Sequence, residues 1–135
     1  MKIDGRCHCG DVGYQAEIDP DDVLVCHCAD CQTLSGAAFR TVVLTRPGSF
    51  LLTSGELTIY VKTAESGARR QQSFCKRCGT PIYSTSAEDE PQIHSIRVGT
   101  VLQRDQLVPK KQIWCRSEQR WLGDLATLER FELRQ

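Results

Sequence analysis

Cys26-His27-Cys28-Ala29-Asp30-Cys31 sets three thiols within six residues of chain. Sulfurs so close together can take three corners of one tetrahedral metal ion, and no fourth ligand stands beside them. Two further pairs, Cys7/Cys9 and Cys75/Cys78, have the spacing to close a different site between them. One closed set and one open set is the contrast between structural and catalytic zinc.

The chain carries eight cysteines. An even count would suit a disulfide framework in a secreted protein. Met1 to Gly5 holds no apolar run that would serve as an export signal, so a reducing compartment, the cytoplasm, is expected. Cys-x-Cys occurs at Cys7/Cys9 and Cys26/Cys28, and Cys-x-x-Cys at Cys28/Cys31 and Cys75/Cys78. Isolated buried thiols have no reason to recur at ligand spacing, so metal binding is the better reading.

Cys75-Lys76-Arg77-Cys78-Gly79 has the form of a zinc knuckle, with Gly79 free to take the left-handed turn. It supplies two ligands and Cys7/Cys9 the other two, a saturated all-thiolate set that ties the amino terminus to the middle of the chain. The open set is Cys26, Cys28 and Cys31. Three thiolates leave a zinc unit near a net charge of about −1, a poor Lewis acid for water. Such a centre suits a soft fourth ligand, a substrate thiolate, better than hydrolysis. His8, His27, His94 and Cys115 compete for the fourth position. If one of them closes it, the protein is a non-catalytic two-zinc module that binds a small thiol or a protein partner.

Length and charge narrow the rest. The 135 residues fit one domain, 1–135, and Lys+Arg 17 balances Asp+Glu 17. A neutral chain has no long-range attraction to nucleic acid or an anionic membrane, so neither is an expected partner. No window approaches the roughly 20 apolar residues of a membrane span. Strand patterns recur between turns: Val12, Tyr14, Ala16 and Ile18 alternate, Val23-Leu24-Val25 leads into Cys26, and Arg40 to Thr45, Gln71 to Phe74 and Ile93 to Val98 read as strands. Phe50 to Thr53 and Leu57 to Lys62 read as a hairpin around Ser54-Gly55-Glu56. Gln32 to Phe39 is a short helical turn or compact loop, Ile113-Trp114-Cys115 a short strand, and Leu122 to Leu133 a helical turn followed by a strand. The class is all-β with short antiparallel strands.

Gly5-Arg6-Cys7-His8-Cys9-Gly10 followed by Cys26-His27-Cys28-x-x-Cys31-Gln32-x-x-Ser35-Gly36-x-x-Phe39 resembles the family of glutathione-dependent formaldehyde-activating enzymes (GFA). The likeness continues through Tyr60-x-Lys62-Thr63-Ala64-x-Ser66-Gly67, Phe74-Cys75-x-x-Cys78-Gly79-Thr80-Pro81-Ile82-Tyr83-Ser84, Gly99-Thr100 and Ile113-Trp114 with Trp121. The resemblance implies an Mss4-like all-β fold and two Zn2+ per chain. One would be structural, on Cys7, Cys9, Cys75 and Cys78; the other catalytic, on Cys26, Cys28 and Cys31. It further implies a carbon–sulfur lyase that joins glutathione, or a similar small thiol, and formaldehyde. Ser35 is a candidate donor to the developing alkoxide, and equally a turn residue bonded to its own backbone. Arg69, Arg70, Lys76 and Arg77 are candidate partners for glutathione carboxylates, or simply solvate a face. The chain departs from the family pattern at Gln112, where His is frequent, and at Val101-Leu102-Gln103-Arg104, where acidic residues are frequent.

Overall fold

Alternation dictates the first layer. Tyr14 and Ala16 point one way and Gln15 and Glu17 the other, so β2 (Gly13–Glu17) has one apolar face. β1 (Lys2–Arg6) pairs with it antiparallel, and β5 (Leu51–Ser54) takes its other edge, giving a sheet in the order β1-β2-β5. The computed structural model describes residues 1–133; residues 134–135, the end of the expected domain, lie outside it.

The second sheet is seven-stranded, in the order β10-β3-β4-β9-β8-β7-β6. Its members are β3 (Leu24–Cys26), β4 (Arg40–Leu44), β6 (Leu57–Thr63), β7 (Arg69–Cys75), β8 (Pro81–Ser86), β9 (Ser95–Arg97) and β10 (Lys111–Ile113). A single α-helix among the described residues, α1 (Ala29–Ser35), follows β3. Gly36, at φ 63°, ends it in the left-handed conformation, its N–H directed at the carbonyls of Gln32 and Thr33.

Strand register sorts the side chains by face. Ile3, Tyr14, Ala16 and Ile18 meet Val43, Ile82 and Ile96 in one buried cluster. The residues between them on the larger sheet, Val42 on β4 and Arg97 on β9, are paired in register and face the other way. That second face carries the site described below.

The all-β class is observed, and all pairs but one are antiparallel: β10 runs parallel to β3, with Ile113 beside Cys26. The expected hairpin about Ser54-Gly55-Glu56 is corrected. β5 pairs with β2, and β6 pairs with β7, so the turn passes the chain from one sheet to the other. Gly55 allows this at φ 81°, since a Cβ there would press on the Asp11 backbone. The expected carboxy-terminal strand is absent from the described residues. A 3-10 helix over Arg120–Thr127 follows β10, and irregular chain follows that.

Gly5 makes the closest approach between the first two strands. It lies opposite Tyr14, which is 1% exposed and hydrogen-bonded through its hydroxyl to Thr100 Oγ1 at 2.7 Å. A Cβ on Gly5 would fall within the Tyr14 ring. Gly5→Ala is expected to cost about 3 kcal/mol by overpacking. A melting curve lowered by roughly 10 °C supports this packing, and an unchanged curve rejects it.

Candidate metal centres

The sulfurs of Cys7, Cys9, Cys75 and Cys78 all lie within 4.8 Å of one another. The loop after β1 brings the first two and the end of β7 the others. Sulfurs each ~2.3 Å from one zinc stand ~3.8 Å apart at the corners of a tetrahedron. The Cys7–Cys9 and Cys9–Cys75 separations are 3.5 and 3.9 Å, so the set already has nearly that spacing. Backbone amides aim at the sulfurs, Val12 N–H at Cys7 (3.2 Å) and the Arg77 and Cys78 N–H at Cys75 (3.4 Å each). These amides stabilise thiolates, the form that binds metal. Gly79, at φ 76°, supplies the left-handed turn expected of the knuckle.

The thiols of this set are split in proton affinity. A hydrogen bond with the Thr80 hydroxyl at 3.1 Å and the Thr80 amide pull Cys78 down to about 5. Cys9 is favoured as thiolate by the Asp11 amide, but partial desolvation and the hydrogen bonds with Cys7, Cys78 and Cys75 push it up to about 12. Clustered thiolates repel one another without a cation, and the donor set fits a divalent, thiophilic ion.

The second cluster is Cys26, Cys28 and Cys31, again within 4.8 Å of one another. Cys26 ends β3, and Cys28 and Cys31 flank the start of α1. Cys28 is the amino-terminal cap of α1, its sulfur accepting the Cys31 N–H at 3.2 Å. The hydrogen bond with Cys31 holds the Cys26 thiol below its usual range, while that same bond, together with burial, raises Cys31.

The rival ligands lie elsewhere. Among the described residues, no His, Cys, Asp or Glu joins these three sulfurs. His27 is buried, with Nε2 2.8 Å from Gln112 Oε1 and its ring edge against Phe39. Gln112 thus holds the ring between two ligand candidates. His94 stacks on Phe50 at 4.6 Å and meets Tyr83 edge-on at 4.7 Å. His8 is exposed, its N–H on Thr80 Oγ1, and Cys115 is exposed in a 3-10 turn. Ser35 donates its hydroxyl to the Cys31 carbonyl at 2.6 Å, so it is the turn residue of the two options.

The three sulfurs open onto a cavity of about 420 Å³ on the outer face of the large sheet. Arg40, Gln72 and Arg97 line it together with Lys62, Ile113 and Trp114. Trp114 alone among the described non-glycine residues has positive φ, 58°. The Arg116 guanidinium lies 5.0 Å over its ring and pairs with Glu65 at 2.6 Å, which holds the indole in place. Of the basic residues singled out in the sequence, Arg70 lines the cavity, while Lys76 is paired with Glu56 at 2.8 Å on the surface. Sequence reasoning missed Arg40 and Arg97. Each reads as an ordinary charged residue at a strand end, and only the pairing of β3, β4 and β9 brings them to the thiols.

Comparison with known proteins agrees with this geometry. The model of the family described as glutathione-dependent formaldehyde-activating enzyme matches residues 2–117. No curated protein matches the chain. A crystal structure of a Rhodobacter sphaeroides protein shares the fold, with a TM-score of 0.61 and 22% identity over 83% of this chain and 99% of that one.

Proposed function

Because the chain belongs to the family of glutathione-dependent formaldehyde-activating enzymes, we propose that it is a zinc-dependent carbon–sulfur lyase joining a small thiol, glutathione or a similar one, to formaldehyde. The observation that carries this reading is the three-thiol cluster facing a cavity with no fourth protein ligand among the described residues. Two zinc ions per chain are proposed, one on Cys7, Cys9, Cys75 and Cys78 and one on Cys26, Cys28 and Cys31. The second would supply a soft centre with one free position at which a substrate thiol stays deprotonated near neutral pH.

The chain's own residues do the rest. The thiolate sulfur gives a lone pair to the carbonyl carbon of formaldehyde and forms the C–S bond. The C=O π pair moves to oxygen, which takes a proton from water, and the product is a hydroxymethyl thioether. Arg40, opposite Cys26 in the strand register, is a fixed cation beside the cluster and supports negative charge at that oxygen. Trp114 and Ile113 wall the cavity and limit water. Seven cysteines committed to metal rather than to disulfides suit a reducing compartment, which supports a cytoplasmic protein. Among the described residues, no helix is long and apolar enough to cross a membrane.

The test follows the exchange of formaldehyde with glutathione by NMR, with and without zinc-loaded protein. Acceleration of about a hundredfold or more is expected, given the gain from holding two reactants together. Binding of the thiol with no acceleration would make the protein a carrier and reject the lyase.

A further inference from the structure

The large sheet ends on β6, which among the described residues pairs with β7 alone. A strand at a sheet edge offers its unpaired N–H and C=O groups to any second strand. Such edges are ordinarily kept short or guarded by proline, a bulge or an outward charge. β6 runs for seven residues with no proline and no register shift. Its one charged residue, Lys62, is turned to Asp30 on α1 and paired there. Ile59, Tyr60 and Val61 stand in a row on this edge, 43%, 55% and 37% exposed.

Backbone alternation fixes which groups are free. The Glu56 carbonyl accepts the Lys76 N–H at 3.2 Å, and the Ala64 N–H donates to the Ala68 carbonyl at 2.8 Å. These two bonds bracket the β6–β7 ladder in its own register. Bonded residues alternate along an antiparallel pair, so Thr58, Tyr60 and Lys62 also turn their amides and carbonyls to β7. Leu57, Ile59, Val61 and Thr63 turn theirs to the free edge. That set maps onto itself about Tyr60. Laid antiparallel on a second copy, Leu57 meets Thr63 and Ile59 meets Val61, so all four residues are answered. Lys62 then lies opposite Thr58 and Glu56 opposite Ala64, and no like charges meet. The formal net charge of the chain is +0, so two copies have no long-range repulsion to overcome.

We propose that β6 pairs antiparallel with β6 of a second copy, about a two-fold axis at Tyr60, joining two large sheets into one. A second copy is the occupant because the two-fold answers every free backbone group of the edge. The edge is apolar, and its one charge is already neutralised, so nothing on it selects an acidic or basic segment instead. On one face Ile59 packs beside Val61 of the partner subunit. On the other, Tyr60 stands beside the partner subunit's Tyr60. Tyr60 lines a groove that adjoins the three-thiol cavity and shares Arg40, Gln72 and Arg97 with it. The second copy thus adds an aromatic wall to that groove.

The experiment is sedimentation equilibrium of the zinc-loaded full chain from about 1 to about 200 µM. A species of twice the 15.2 kDa chain mass is expected, with a Kd of about 10 µM. Ile59→Lys with Val61→Lys sets like charges opposite each other and should weaken the dimer about a hundredfold or more. Ile59→Lys with Val61→Glu sets opposite charges in the same places and should stay within about tenfold of the parent. A parent chain that is monomeric at about 200 µM overturns the proposal. So does a dimer undiminished by the two lysines, or one lost equally with the opposite charges. Should the variants fail to fold, amide exchange in the parent chain decides. The Leu57, Ile59, Val61 and Thr63 amides should exchange about tenfold more slowly at high than at low concentration. Those of Thr58, Tyr60 and Lys62, already bonded to β7, should change less than about twofold. An equal change in both sets, or none in either, overturns the pairing.

Discussion

Cys75→Ser should lower the melting temperature by about 15 °C or more, the largest loss of stability expected of any single substitution in this chain. Cys75 is fully buried at the end of β7 and accepts two backbone N–H groups through its sulfur. Serine replaces the sulfur almost isosterically, so the direct packing loss is small. What is lost is one of four ligands, in a class of site whose metal contributes roughly 10–16 kcal/mol to folding. The remaining three would retain only part of that, and a deficit of about 4 kcal/mol or more is expected. A chelator distinguishes ligand loss from packing loss. It should lower the parent chain by more than it lowers the variant and bring the two to about the same melting point. A variant that melts within about 3 °C of the parent removes the four-thiol set from any part in stability.

Cys28→Ser should abolish the thiol–formaldehyde acceleration while leaving the fold intact. The two effects separate because of where Cys28 sits. Its sulfur caps the amino terminus of α1 by accepting the Cys31 N–H, and serine is a preferred residue for that task. The helix should therefore persist, with a stability change of about 1 kcal/mol or less. The donor set, however, drops from three thiolates to two and a hydroxyl, a poor match for a soft ion. Bound zinc is expected to fall from two per chain toward one, and the NMR exchange rate to the uncatalysed value. A rate within about twofold of the parent, with zinc lost, would place the chemistry elsewhere in the molecule.

These expectations differ in how much of them the sequence discloses. The two cysteine sets are legible because ligands to one ion come in short-range pairs, and the structure gathers the same seven residues into the same two groups. The all-β class is legible from alternation such as Tyr14-Gln15-Ala16-Glu17. Pairing partners are less so. Residues 50–62 have the form of a hairpin, yet Gly55 takes the chain across to a second sheet because the buried side chains of β2 need covering. Local pattern does not record which sheet a strand joins. The parallel pairing of β10 with β3 is similarly hidden, since its three residues are short and polar-flanked. The arginine pair was not legible at all. Arg40 and Arg97 are 57 positions apart and become neighbours only through β4 and β9, whose register sets Val42 beside Arg97. The choice among fourth-ligand candidates was open in the sequence for the same reason: His94 lies on an aromatic cluster, a fact of tertiary packing alone.

The closed cluster spans the chain in a way that has a consequence for its synthesis. Cys9 and Cys75 are 66 positions apart, whereas Cys26, Cys28 and Cys31 are neighbours. At ~5–20 residues per second, a ribosome takes ~3–13 s to add the second half of the four-thiol set to the first. For those seconds the nascent chain presents Cys7 and Cys9 as an unfinished pair, while the three-thiol segment is already whole. The order in which the chain is made thus favours the shorter cluster as the first to be complete, and makes the longer one the step that fastens the finished protein.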